Sequence, residues 1–106
     1  MYYEVADKAS LMSPGLQLQA VSMAGANAVY VNITVFNVSS ISGATVVLQQ
    51  SNDMENWEDV GSSTSITAAG YLKFSVTAIA AQYVRLKFVA TSGTAILAAG
   101  INTANL

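Results

Sequence analysis

Apolar and polar residues alternate along most of this chain. In Tyr83-Val84-Arg85-Leu86-Lys87-Phe88-Val89 the even positions are apolar, and Arg85 and Lys87 fall on the opposite side. Tyr71 to Val76 repeats the pattern with Leu72, Phe74 and Val76 inward, and Ala44 to Gln50 sets Val46 and Leu48 on one side. A period of two gives one set of side chains to a core and the other to solvent, so these three segments predict half-buried strands. Two further segments slip phase. Leu16, Leu18 and Ala20 alternate with Gln17 and Gln19, after which Val21 and Met23 continue on the other parity. Val29, Val31, Ile33 and Val35 alternate with Tyr30, Asn32 and Thr34, before Phe36 and Val38 take over. A β-bulge or twist at the slip would keep both halves on one core; alternatively, one face meets the core and the other a partner.

The run from Thr94 to Asn102 mixes Ile96, Leu97 and Ile101 with Ala and Gly, which predicts a strand packed where room is tight. Tyr2 to Val5 is expected to add an edge strand or an arm. Turn residues punctuate the chain at Ser13-Pro14-Gly15, Ala24 to Asn27, Ser39 to Gly43, Ser51 to Asn56, Gly61 to Gly70 and Thr91 to Gly93. Ala78 to Ala81 could form a short helical turn, but no segment carries a helical period. The expectation is an all-β, antiparallel, jelly-roll-like β-sandwich of about seven or eight short strands. Residues 1–14 would form the N-terminal arm or edge strand and residues 15–106 a single sandwich domain.

Composition changes the picture in one direction. Charged residues are only 9% of the chain against 53% hydrophobic, and mixed surface charge is what discourages association. The apolar excess must be covered by neutral polar residues or buried against other subunits, so a homo-oligomer is expected. Four basic residues, Lys8, Lys73, Arg85 and Lys87, and a net charge of −2 are too few for a phosphate-tracking surface, which argues against nucleic acid. No stretch approaches the ~20 apolar residues of a membrane helix. The first eight residues, Met1 to Lys8, lack the apolar run of a secretory signal. The chain therefore reads as a complete, unprocessed product made in a cytoplasm, or as a mature form already trimmed.

The chain has no Cys and no His, which removes disulfides, soft metal ligands and the usual base of a Ser triad. Neither a nucleophile elbow nor a phosphate loop occurs. Asp53, Glu55, Glu58 and Asp59 crowd one turn, but their spacing fits no standard calcium loop. A glycosidase pair would need a cleft that drives two carboxyl pKa values apart. The turn is read instead as a solvated acidic bend that protects a strand edge. No enzyme activity, metal or cofactor is expected. Trp57, Tyr71 and Tyr83 could form a sugar-stacking platform, although aromatics in sandwiches more often pack inward. Asn32-Ile33-Thr34 and Asn37-Val38-Ser39 match the glycosylation triplet and read as outward polar positions of a strand.

From Thr45 onward the order of features resembles the second half of discoidin-type, galactose-binding-like jelly-roll domains. Ser51-Asn52-Asp53-Met54-Glu55-Asn56-Trp57 stands where those domains carry a Ser-Asn-Asp-Gly-x-x-Trp turn, with Met54 at the glycine. Gln82-Tyr83-Val84-Arg85-Leu86 stands where they carry an Arg/Gln-Tyr-Val-Arg strand. With the Ser-Gly-Thr and Ala-rich run of Thr91 to Ala99, the same string is similar to small virion proteins of tailed phages that decorate capsids or form fibres. That resemblance implies a non-enzymatic virion protein, made in a host cytoplasm, that associates with itself and with capsid or tail proteins. The surfaces expected to carry assembly are Tyr2, Tyr3, Leu11 and Met12 in the first segment, with Ile96, Leu97, Ile101 and Leu106 in the last. The alternative is a carbohydrate-binding module of the discoidin sort, with Asn52, Asp53, Trp57, Tyr83 and Arg85 near a surface glycan. A subunit of an extracellular filament is a third reading.

Overall fold

Alternation becomes two antiparallel sheets in the computed structural model, which describes residues 2–12 and 15–105. The strands are β1 (Tyr2–Met12), β2 (Gly15–Gln17), β3 (Val21–Ser22), β4 (Ala28–Ser42), β5 (Ala44–Ser51), β6 (Glu58–Ile66), β7 (Gly70–Val76), β8 (Tyr83–Val89) and β9 (Ser92–Ala104). Sheet I runs β1-β9-β4-β7. Sheet II runs β2-β8-β5-β6, with β3 also pairing β8. The all-β antiparallel sandwich holds, with nine strands among the described residues. None of the described elements is a helix.

The core is the inward parity of both sheets. From sheet I come Val29, Val31, Ile33 and Val35 of β4 with Leu97 and Ile101 of β9; from sheet II come Val46 and Leu48 of β5 with Val84, Leu86 and Phe88 of β8. Each such side chain contributes ~1.5–3 kcal/mol of transfer free energy relative to exposure. Leu72, Phe74 and Val76 of β7 pack half-buried on the same core. The phase slip in β4 is a register shift between Val35 and Asn37, with Phe36 as the extra, exposed residue and Val38 returned to the core. The slip between Leu18 and Val21 has a different cause: the chain leaves β2 and re-enters as β3, both on β8.

Several expectations are corrected. β6 continues through Gly61 to Ile66, so only residues 67–69 connect it to β7. It is an edge strand with a single neighbour, β5. Most of its side chains face water, so Ser and Thr serve without apolar alternation. β4 likewise runs through Ser39 to Ser42, and the turn is confined to Gly43, whose φ of +62° favours glycine. Ala78 to Ala81 is not helical: it is an irregular crossing with Ala78 at a φ of +59° and Ile79 and Ala81 buried. The Ile79 amide donates to the Asn27 carbonyl at 2.9 Å, which fixes the crossing without a helical turn.

The N-terminal segment is a strand along its described length, pairing β9 from Tyr2 opposite Asn102 to Met12 opposite Thr94. This splits the expected assembly residues by parity. Leu11, Leu97 and Ile101 point inward with no exposure and belong to the protein's own core. Tyr3 also packs against that core. Tyr2, Met12 and Ile96 point outward and are exposed. Leu106, like Met1, Ser13 and Pro14, lies outside the described residues.

Candidate functional site

The chain between β5 and β6 is built by side chains bonding to nearby amides. Ser51, at the end of β5, accepts from the backbone amides of Asp53 at 3.2 Å and Met54 at 2.9 Å through its Oγ, and donates to Asp53 Oδ1 at 2.9 Å. Asp53 Oδ1 also accepts from the amides of Glu55 and Asn56, each at 2.9 Å, while Asn56 Nδ2 donates to Asp53 Oδ2 at 2.7 Å. These Asx-type bonds give the bend a fixed shape without help from the sheet. The donated bonds, led by the Asn56 amide, then the Glu55 amide, the Asn56 side chain and Ser51, hold the Asp53 carboxyl well below the ordinary carboxylate range. Asn52 Oδ1 accepts from the Gln82 amide at 3.1 Å and so ties the loop to the entry of β8. Met54 occupies the left-handed region at a φ of +62°, a conformation that favours glycine.

Trp57 is set by the same bend. Its indole Nε1 donates to the Met54 carbonyl at 3.3 Å, and the Arg85 guanidinium carbon lies 4.2 Å from its ring centroid. Arg85 is in turn held by sheet II. Across its outer face Asp59, Gln49 and Arg85 stand side by side on β6, β5 and β8. Arg85 Nε donates to Gln49 Oε1 at 2.8 Å, and Gln49 Nε2 donates to Asp59 Oδ1 at 2.9 Å. Gln49 is buried at 6% exposure, so this ladder supplies the hydrogen bonds its amide requires. A second cross-strand bond, Gln50 Nε2 to Glu58 Oε1 at 2.6 Å, lies nearer the loop. Between the loop and the crossing at Ala80-Ala81 opens a cleft of about 600 Å³, with Gln50, Asn56, Trp57 and Glu58 on its walls.

Four of the residues singled out for ligand binding, Asn52, Asp53, Trp57 and Arg85, thus meet at one loop and its adjoining strand. Their roles separate. Asn52 and Asp53 hold the backbone, the Arg85 guanidinium lies over the Trp57 ring, and Trp57 lines the cleft. Tyr83 is opposite Ser51 on the outer row of β8 and is half-buried. Tyr71 does not join them: it lies on β7 of sheet I, so Trp57, Tyr71 and Tyr83 do not form one platform. No group of three or more Asp or Glu side chains positioned to hold a metal occurs among the described residues. Sequence reasoning overlooked Gln49, Gln50 and Asn56. Gln49 and Gln50 form part of an unbroken polar pair closing an apolar strand, a signal that was present but ambiguous in direction.

The outer face of sheet I has a different character. Register places Tyr2, Tyr30, Tyr71, Ile96 and Met12 there, with Phe36 exposed at the bulge beside them. These six are most of the eight large apolar side chains exposed among the described residues. The Tyr71 hydroxyl donates to Asn32 Oδ1, and the end of the Tyr2 ring lies over Gly100, where any Cβ would collide with it. The alternation in β4 could have shown Tyr30 on the solvent parity; nothing local shows that Tyr2 and Tyr71 share its face.

No family model matches the chain, and no curated protein matches it. A solved structure described as "CBM4 structure and function", CBM denoting a carbohydrate-binding module, is similar over 99% of this chain and 70% of its own, with a TM-score of 0.56 and 16% identity. At that identity the likeness establishes the sandwich fold.

Proposed function

We propose that the protein is a non-catalytic carbohydrate-binding module, with the sugar held in the cleft beside Trp57. The observation that carries this reading is a tryptophan ring fixed in advance, by the Met54 carbonyl and the Arg85 guanidinium, on the wall of a polar cleft of about 600 Å³. A pyranose offers an apolar C–H face and a rim of hydroxyls. The ring takes the first, and the amides and carboxylate of Gln50, Asn56 and Glu58 exchange hydrogen bonds with the second. Because the loop is already bonded to itself through Ser51 and Asp53, little ordering cost remains at binding. Chemistry on the sugar is disfavoured, since a glycosidase needs two working carboxylates and, of the two lining the cleft, Asp53 is committed to the loop and leaves only Glu58. The fold shared with a carbohydrate-binding module supports this reading over the virion role that the sequence resemblance implies.

A glycan array followed by calorimetry on the best ligand tests the proposal. Binding should be lost in Trp57→Ala while circular dichroism stays that of the parent. An array without a hit, or a Trp57→Ala variant that binds as tightly as the parent, would refute it.

A further inference from the structure

The outer face of sheet I carries a charge pattern that is its own complement. One row of side chains crosses all four strands: Glu4 on β1, Gly100 on β9, Asn32 on β4 and Lys73 on β7. The acid and the base thus stand on opposite edges of the sheet, with neutral residues between. The adjoining row is Tyr2, Asn102, Tyr30 and Ser75, again one residue per strand. Tyr71 is two residues away from Lys73 on the same edge and points to the same side.

We propose that this face joins two copies of the chain in a closed two-fold dimer whose axis runs parallel to the strands. Rotation about that axis lays β1 of one copy over β7 of the other. Glu4 then meets Lys73 of the partner subunit, and the symmetry makes the contact twice. In the next row Tyr30 meets Asn102 of the partner subunit. An axis running across the strands would instead stack Glu4 on its own copy and Lys73 on its own copy, so the charges select between the two arrangements. The composition suits a contact surface: three tyrosines, uncharged residues across the two central strands, and charges on the edge strands alone. Four strands at ~4.8 Å spacing and some ten residues at ~3.3 Å each give a face of ~600 Å² per copy. Two such faces exceed the ~1,000 Å² in total that a specific interface needs. The low overall charge, 9% of residues, removes the usual obstacle to association. Burying sheet I leaves both Trp57 clefts uncovered at the same end of the pair, the end of the β5–β6 loop, where a multivalent ligand would gain from avidity.

Sedimentation velocity on the full chain over a wide concentration range tests the interface. The parent should sediment as a dimer. Glu4→Lys alone and Lys73→Glu alone should each halve the mass, because one exchange creates two like-charge contacts. The double variant should recover the dimer. Circular dichroism of each variant confirms that the fold is kept, since both side chains are exposed. A parent that is monomeric throughout, single exchanges that leave the dimer intact, or species that grow steadily with concentration would each overturn the proposal. Glycan binding is read separately, so a dimer that binds no sugar would refute the proposed function and leave the interface standing.

Discussion

On sheet II the outward positions of β8 and β5 are Tyr83, Arg85, Lys87 and Val89 with Thr45, Val47, Gln49 and Ser51, and Trp57 is stacked on Arg85. On sheet I the outward positions of β4, β7 and β9 include Tyr30, Tyr71 and Ile96, and the charges sit on the edge strands, Glu4 with the exposed Asp7 and Lys8 on β1 and Lys73 on β7. The inward sets of the two sheets are nearly interchangeable, being Val, Ile, Leu and Phe on both. What distinguishes the sheets is therefore the parity that does not build the fold. Sheet II uses it for a bonded polar ladder that orients one aromatic ring beside a cleft. Sheet I leaves its tyrosines without such a ladder, apart from the Tyr71–Asn32 bond. On the proposed readings, the sandwich dedicates one exterior to a small ligand and keeps the other for a second copy of the chain.

The sharpest way to break this comparison is to exchange parity within it. Phe88→Ala removes a fully buried ring and should cost ~3–5 kcal/mol in urea unfolding. Tyr71→Ala, at an exposed outward position, should stay within about 0.5 kcal/mol when the protein is dilute enough to be monomeric. Equal losses at the two sites would show that inward and outward sets are wrongly divided.

A smaller effect is expected where the ladder holds the tryptophan. Arg85→Ala removes the ring contact and the bond to Gln49, which together should cost about 1–2 kcal/mol. The accompanying change in Trp57 fluorescence separates this local effect from general destabilisation. Unchanged emission would mean that Arg85 does not fix the ring.

The smallest effect, and one confined to the loop, comes from pH. Asp53 is held below its ordinary value in the folded chain, so it remains ionised where the unfolded chain has already taken up a proton. Its contribution is therefore full above about pH 4 and declines as the solution is acidified toward the folded value. The stability difference between the parent and Asp53→Asn should be constant from pH 7 to about pH 5 and shrink below about pH 4. A difference that grows on acidification would contradict the bonding described for the loop.

The sequence made much of this legible at the level of single strands. Alternation in β4, β5, β7 and β8 identified the core, and the slip at Phe36 marked a bulge, because both depend only on neighbours along the chain. Edge strands were harder. β6 past Gly61 has one partner and little to bury, so its Ser and Thr looked like a loop. The Ala-rich alternation of β9 hid the fact that Leu97 and Ile101 face inward while Ile96 faces out. Parity tells which side of a strand a residue takes, but not which sheet the strand joins. Trp57 and Tyr71 therefore looked like neighbours, yet Tyr71 is on sheet I and Trp57 ends the loop that leads into sheet II. The loop chemistry of Ser51, Asn52 and Asp53 was readable because those bonds span only a few residues. Arg85 stacked on Trp57 was not, since that contact depends on how β8 lies beside β5.

A nuclear magnetic resonance titration of the labelled protein with its best array ligand tests the division of the two faces most directly. Shifts should concentrate at Gln50, Asn56, the Trp57 amide and indole N–H, Glu58 and Ala80, while Tyr30, Asn32, Tyr71 and Asn102 stay in place. Shifts centred on the tyrosines of sheet I, with the Trp57 indole unmoved, would contradict it.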